Sequence, residues 1–334
     1  METPVFRCQP QHTQEDDHDR ITYPSGRIPA AGDHLGVSAE QGLPMPAADV
    51  SALRTLMEAP VPCGSLSEYL SRFALPMTCL QQADALERVA WELTEELAKE
   101  GMTYCELRFA PQLSTKKGMT QAQAAEAVIR GVKRGMKEFP AIRVGLLLCC
   151  MRGEGPECER ANLETLELAA GLLAGGVVCG VDLAGAEEVY DTGMFRDLFS
   201  RAARYGLPYT IHAGEADGPD SVKKALDMGA RRIGHGIAAA RDERLMEELA
   251  RYGIPLEVCI TSNVQTKAAP SLKDHPIRRL YDAGVHVTLN TDNRTVSATT
   301  LPREIALAKA AFGFTDQDVE RMEEYARGGA FLCL

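Results

Sequence analysis

Short apolar runs that alternate with amphipathic segments are the dominant pattern of the chain from about residue 80 onward. The runs are almost continuously apolar, which is typical of parallel strands that are buried on both faces. Segments with helical periodicity follow them, and several end at a glycine, as helices commonly do. The runs cover residues 104–109, 143–150, 177–184, 209–212, 232–234, 255–259 and 286–289, and the helical segments include 83–101, 120–139, 220–229 and 242–252. Repeated β-α units predict a parallel sheet, either open or closed into a barrel.

The positions of the polar residues decide between an open sheet and a closed barrel. They follow at least six different runs, and they include Arg108, Arg152, Asp182, His212, His235 and Asp292. A (βα)8 barrel collects such residues at the carboxyl ends of its strands, whereas an open doubly wound sheet uses one switch point. We therefore predict an α/β fold, a (βα)8 TIM barrel.

The barrel prediction lacks one strand, because only seven runs can be recognised where eight are needed. Residues 1–38 contain Pro4, Pro10, Pro24 and Pro29 with scattered charges and no clear periodicity. We expect this segment to be an irregular N-terminal arm, and the first strand to be absent or irregular. The barrel domain is predicted to cover residues 39–334.

Net charge, apolar stretch length and cysteine spacing argue against several classes of function. The net charge of −11 disfavours a nucleic-acid surface. The longest uncharged apolar stretch, residues 168–181, is shorter than the roughly 18 residues of a membrane-spanning helix. The ten cysteines form no CxxC pair, so we expect reduced, mostly buried thiols. The N-terminal stretch is acidic and lacks the apolar core of a signal peptide. These features together predict a cytoplasmic protein without membrane or nucleic-acid partners.

Four residues suggest hydrolytic chemistry. His212 ends a strand run and Glu215 follows three residues later, an arrangement that suits a metal ligand and a general acid or base. His235 lies between two glycines, and Asp292 follows the last run, where it could ligate a metal or cap a helix. Each residue has a purely structural alternative, but together they form the pattern of a metal-assisted hydrolase. The histidines without a motif are predicted to be solvated (His12, His18, His34 and His275) or structural (His286).

Six motifs resemble the adenosine deaminase family of metal-dependent (βα)8 hydrolases. They are ELRFAP (106–111), VDLAGAE (181–187), HAGE (212–215), GHG (234–236), EVCITSN (257–263) and NTDN (290–293). The resemblance covers roughly residues 39–334. It implies zinc-dependent hydrolytic deamination of adenosine and 2′-deoxyadenosine to the inosine product and ammonia, a reaction of purine salvage.

The resemblance also implies roles for individual residues. His212 and Asp292 correspond to zinc ligands, and Glu215 to the group that protonates purine N1. His235 corresponds to the residue that orients the zinc-bound water and helps to deprotonate it. Gly185 lies where the family brings backbone close to the purine edge, and Asn293 where many members have an Asp that contacts the purine imidazole. Residues 65–73 resemble the apolar segment that covers a bound nucleoside.

The sequence departs from the family at its first strand. That strand ends in His-x-His followed by Leu-Asp-Gly and completes the zinc site, but this sequence contains no HxH. Residues 20–38 can be back-translated into synonymous codons and then read in the frame one base forward. Some of these codon choices encode ELH(T/I)HLDGSLRPETIWELA, which resembles the missing strand and its helix. Our hypothesis is that residues up to about 38 are translated out of frame. Two of four protein ligands are then absent, so we expect weak zinc binding, and this chain could be inactive as written.

Two alternatives to adenosine deamination stay open. The chain could deaminate adenine or another aminopurine, although the TDNR run (291–294) favours the nucleoside. It could instead be a non-catalytic purine-binding relative that has lost its metal. The missing HxH favours this second alternative, whereas the intact Glu215, His235 and Asp292 oppose it.

Overall fold

The structure is a computed structural model that describes residues 20–26, 31–44, 47, 49–61 and 63–332. Its strands are β1 (Arg20–Gly26), β2 (Met102–Phe109), β3 (Arg143–Met151), β4 (Val178–Ala184), β5 (Thr210–Ala213), β6 (Arg232–His235), β7 (Leu256–Val258), β8 (Val287–Leu289) and β9 (Asp292–Asn293). All pair in parallel, in the orders β4-β3-β2-β1-β9 and β5-β6-β7-β8. A bridge between Val181 and Tyr209 joins the two sheets. The predicted parallel α/β barrel is confirmed.

The helices surround the strands. They are α1 (Ala31–Glu40), α2 (Val50–Met57), α3 (Leu66–Ser71), α4 (Ala74–Cys79), α5 (Ala83–Lys99), α6 (Gln121–Glu138), α7 (Pro156–Leu172), α8 (Arg196–Arg204), α9 (Pro219–Asp227), α10 (Glu243–Tyr252), α11 (Ile260–Gln265), α12 (Ile277–Asp282), α13 (Leu301–Phe312) and α14 (Asp316–Gly329). Side-chain caps fix several starts, such as the reciprocal capping box of Thr120 and Gln123 at α6. All seven predicted strand runs and all four predicted helical segments form the expected elements.

A first strand is present, and its pairing is irregular. The backbone of β1 lies between β2 and β9, and α1 crosses the predicted boundary at residue 38. The pairing of β1 with β2 shifts register between Arg20 and Ile21 and again between Thr22 and Ser25. The first strand is thus irregular rather than absent. Residues 1–19 and 27–30 of the predicted arm lie outside the described residues.

The eight described cysteines are free, and all but Cys158 are buried, as the sequence predicts. Cys8 and Cys333 lie outside the described residues. Within the part of the chain that the structure covers, no helix is both long enough and apolar enough to cross a membrane.

Charged groups fill part of the barrel interior. The side chain of Arg232 on β6 is fully buried, and it donates to the buried carboxylates of Glu106 on β2 and Glu257 on β7. Glu257 also accepts from Arg108, whose guanidinium contacts Asp182 at 3.0 Å. Such buried groups stabilise a fold only while every charge keeps its partner. These five residues, which we call the charge ladder, connect β2, β4, β6 and β7.

Replacing Arg232 with Met should destabilise the protein by about 3–5 kcal/mol, because Glu106 and Glu257 would each lose a buried cationic partner. The free energy of unfolding in urea measures this loss. The matched control is Arg130→Ala, which removes an exposed ion pair with Glu87 and should cost less than about 1 kcal/mol. Equal losses in the two variants would contradict a central role for the charge ladder.

Candidate active site

One cavity of about 440 Å³ at the carboxyl ends of the strands is lined by all six residues predicted for the site. They are Gly185, His212, Glu215, His235, Asp292 and Asn293. Leu66, Tyr69, Leu70 and Phe73 form an apolar wall from the predicted covering segment. A larger cavity of about 760 Å³ lies at the amino ends of β6 to β8, and none of the predicted site residues lines it. There, His286 stacks on Tyr325 at 3.9 Å, as its predicted structural role requires.

The backbone is unusual at three of these positions. His235 and Asp292 have φ angles of 57° and 54°, a left-handed conformation that non-glycine residues adopt rarely and that recurs at active sites. Gly185 has a φ of 116°, and a Cβ placed there would lie 3.2 Å from the Cβ of Arg152. Only glycine therefore fits this point of the cavity wall.

His212 is held by the end of the charge ladder. Its Nδ1 lies 3.0 Å from a carboxylate oxygen of Asp182 and 3.1 Å from the guanidinium of Arg108. Arg152 donates to the backbone oxygen of His212 at 2.6 Å. Burial lowers the pKa of His212, but the carboxylate of Asp182 outweighs it and the net shift is upward. The arrangement fixes both the ring and its strand.

Glu215 is a buried carboxyl group, since its side chain is 7% exposed. Burial raises its pKa, and the nearby carboxylate of Asp292 adds to the rise. Its Oε2 lies 3.4 Å from Nε2 of His235, whereas its Oε1 is buried in the structure without a hydrogen-bond partner. A carboxylic acid with a raised pKa and an unpaired oxygen at a cavity is suited to donate a proton to a ligand.

The loop that carries Glu215 is anchored by Glu187. The buried carboxylate of Glu187 accepts hydrogen bonds from the backbone N–H groups of residues 214–217, at 2.6 to 3.3 Å, and from Ser221. An ionised carboxylate accepts at both oxygens and so satisfies all of these donors at once. Glu187 therefore sets the position of Glu215 from outside the cavity.

Asp292 and Asn293 are held by other contacts. Asp292 accepts from Ser262 at 2.6 Å and from the Tyr69 hydroxyl at 3.4 Å. The side-chain oxygen of Asn293 accepts from the backbone of Val296 at 2.9 Å. Asp292 thus lies at the junction of β9, α3 and α11.

Sequence reasoning missed three contributors to this site. Tyr69 lies in the predicted covering segment and Glu187 in one of the six motifs, but neither was predicted to hold a site residue by hydrogen bonding. His275 was predicted to be solvated, and this prediction is wrong, because the residue is buried at 5% exposure and contacts Asn263.

The fold and the polar strand ends are those of a (βα)8-barrel hydrolase of the metal-dependent kind. A family model described as adenosine deaminase matches residues 34–333. The chain is 42% identical to the adenosine deaminase of Haemophilus ducreyi over 252 residues, which are 75% of this chain and 72% of that protein. It is 36% identical to the adenosine deaminase of Yersinia enterocolitica over 89% of both chains. An Arabidopsis protein solved in complex with IMP superposes with a TM-score of 0.78 at 27% identity, over 94% of this chain and 92% of that one.

The chain therefore belongs to the adenosine deaminase family, whose members hydrolytically deaminate adenosine. The family is metal-dependent, but the described residues do not fit a complete metal site. Among them, no group of three or more His, Cys, Asp or Glu side chains could hold a metal ion. His212 and Asp292 are the predicted ligands, and the guanidinium of Arg108 lies beside the first of them. Structural zinc and catalytic zinc require at least three protein ligands.

Changing Glu187 to Gln should destabilise the protein by about 1–3 kcal/mol, because the amide NH2 would face backbone donors. Amide hydrogen exchange at residues 214–217 should accelerate with it. Glu188→Gln is the matched control, since Glu188 is exposed and accepts only from Ser67 in the described contacts, and it should change stability by less than about 0.5 kcal/mol. Unchanged exchange at 214–217 in the Glu187 variant would contradict the anchoring role.

His275 should make the protein less stable as the pH falls. Burial lowers its pKa from the usual 6.5 to about 4. Between these values the unfolded chain binds a proton that the native chain does not, so acid favours unfolding. Between pH 7.5 and about pH 5 the wild type should lose about 2 kcal/mol more than His275→Gln. Unfolding titrations at the two pH values measure the difference, and parallel losses would show that His275 does not titrate this way.

Proposed function

We propose that the chain binds adenosine in the 440 Å³ cavity and that Glu215 is the general acid toward the purine ring. The observation that carries this proposal is that Glu215 lines the cavity while its Oε1 is buried without a hydrogen-bond partner. Because the raised pKa favours the protonated carboxyl, Oε1 can donate to a ring nitrogen. A protonated ring nitrogen withdraws electrons from the neighbouring amino-bearing carbon, which promotes attack by water and loss of ammonia.

The other site residues are assigned by their places around the same cavity. The apolar wall of Leu66, Leu70 and Phe73 would cover the nucleoside and exclude water. The backbone at Gly185 would approach the purine edge, since no side chain intervenes there. Asn293 would contact the imidazole part of the purine, and His235 would orient the attacking water beside Glu215.

We further propose that His212 and Asp292 are zinc ligands and that this chain lacks the other two, because residues up to about 38 are out of frame. Two observations support this. The family match begins at residue 34, and the backbone of β1 takes the place of a first barrel strand beside β2 and β9. The histidines of the alternative reading correspond to Thr22 and Pro24, two residues apart on this strand. As written, the chain should bind adenosine but deaminate it very slowly.

Substituting histidine at both positions, Thr22→His with Pro24→His, should raise zinc affinity at least 100-fold and bring deamination with it. Competition with a chromophoric chelator measures the zinc affinity, and the ultraviolet absorbance change from adenosine to inosine measures turnover. The matched control is Thr22→Ala with Pro24→Ala, which alters the same positions without adding imidazoles. Adding Glu215→Gln to the histidine variant should lower kcat by a factor of about 10²–10⁴ while adenosine still binds.

Rapid turnover by the unmodified chain would overturn the proposed loss of ligands. An unaffected kcat in the Glu215→Gln form would overturn the assignment of the acid. The same assay with adenine in place of adenosine tests the alternative substrate. The coding DNA over residues 20–38 provides an independent test, because codons incompatible with the second reading would contradict the frame hypothesis.

A further inference from the structure

A line of hydrogen bonds runs from His275 to the candidate site. His275 precedes α12, and its Nε2 lies 3.3 Å from Oδ1 of Asn263 on α11. The Nδ2 of Asn263 lies 3.0 Å from Nδ1 of His235. All three side chains are buried, at 5%, 0% and 2% exposure.

The direction of each hydrogen bond follows from one backbone donor. The N–H of Ile277 points to Nδ1 of His275 at 3.2 Å, and a backbone N–H can only donate. Nδ1 therefore accepts. Burial lowers the pKa of His275 to about 4, so the ring is neutral near pH 7 and its proton is on Nε2. That proton is donated to the oxygen of Asn263.

The orientation of the Asn263 amide sets the direction of the next hydrogen bond, which reaches His235. Since its oxygen accepts from His275, its NH2 group is the part that faces His235. Nδ1 of His235 must then accept. A neutral imidazole with an accepting Nδ1 carries its proton on Nε2, which is the nitrogen 3.4 Å from Oε2 of Glu215.

We propose that His275 and Asn263 are positioning residues that hold His235 in the Nε2–H tautomer, so that the nitrogen facing the site is a hydrogen-bond donor. The proposal rests on the assignment of Glu215 as the acid and deepens it. A donor nitrogen 3.4 Å from Oε2 favours Oε1 as the oxygen that bears the acidic proton. Oε1 is the carboxylate oxygen of Glu215 that is buried without a hydrogen-bond partner.

This tautomer restricts what His235 does in the reaction. A neutral ring that presents an N–H to the site cannot accept a proton there without first losing its own. His235 would therefore orient water and Glu215 by donating a hydrogen bond. Removal of a proton by His235 would require Asn263 to turn its amide over, which would leave the Nε2–H of His275 facing another donor.

The test is the ring tautomer of His235 in the protein without substrate. Nitrogen-15 labelling of histidine and long-range proton–nitrogen spectra distinguish protonated from unprotonated ring nitrogens, and His235→Gln identifies the signals. We expect the Nε2–H form to be favoured about tenfold or more, since the opposite form would leave a buried donor facing a donor. Because this measurement needs neither metal nor turnover, a failed deamination assay leaves its result intact.

Three substitutions separate positioning from mere packing. Asn263→Asp replaces the donor with an acceptor and should move the proton of His235 to Nδ1. His275→Gln keeps an N–H near the position of Nε2 and should preserve the wild-type tautomer, whereas His275→Asn loses that donor and should give a mixture. The control, His286→Gln, alters the stacked ring at the other end of the barrel and should leave the His235 signals unchanged.

Two outcomes would overturn the proposal. One is a wild-type His235 that carries its proton on Nδ1, a result that needs no variant and so does not depend on whether a variant folds. The other is an unchanged tautomer in Asn263→Asp when circular dichroism shows the wild-type fold. A tautomer set by His275 and Asn263, together with a lowered kcat when Glu215→Gln is added to the Thr22→His, Pro24→His variant, would support both this proposal and the assigned acid.

Discussion

Glu257 binds two guanidinium groups inside the barrel, and the placement of the candidate site depends on this interaction. Its carboxylate accepts hydrogen bonds from Arg232 and from Arg108. Arg232 also pairs with Glu106, and Arg108 also pairs with Asp182. Burial raises the pKa of the Asp182 and Glu257 carboxyl groups, but the guanidinium of Arg108, joined by that of Arg232 at Glu257, outweighs it, so the pKa of each is lowered. Asp182 then holds His212. A change of strand register anywhere along this ladder would leave a buried charge unpaired, so the ladder fixes the register and the site together.

Residues that do not face the ligand set much of the candidate chemistry. Glu187 fixes the loop of Glu215 through backbone donors, and Asn263 orients His235. This division has a physical reason, because a group held by satisfied buried hydrogen bonds needs no reorganisation when a ligand arrives. The reactive oxygen of Glu215 is left without a partner in the same network. Oε1 is therefore a point at which a ligand can add its own hydrogen bond.

The first strand shows that barrel closure and metal binding make different demands on the sequence. Closure uses backbone groups, which β1 supplies to β2 and β9 even with register shifts. Pairing also removes the two open sheet edges that a missing strand would leave. A metal site uses particular side chains, and Thr22 and Pro24 bring no imidazole to it. Under the proposed loss of ligands, this segment would complete the fold of the family without completing its chemistry.

The sequence by itself determined the parallel strands, their helices and the end of the barrel that carries the site. Apolar runs and helical periodicity report burial directly, and residues that follow strands must meet at one end of a barrel. Only the tertiary structure decided that His275 is buried against Asn263, that Tyr69 reaches Asp292, and that Glu187 cradles the loop of Glu215. Tyr69 and Asp292 are 223 residues apart in the chain. Local pattern carries no information about such pairs, because their contact arises from the packing of separate β-α units rather than from the periodicity of any one of them.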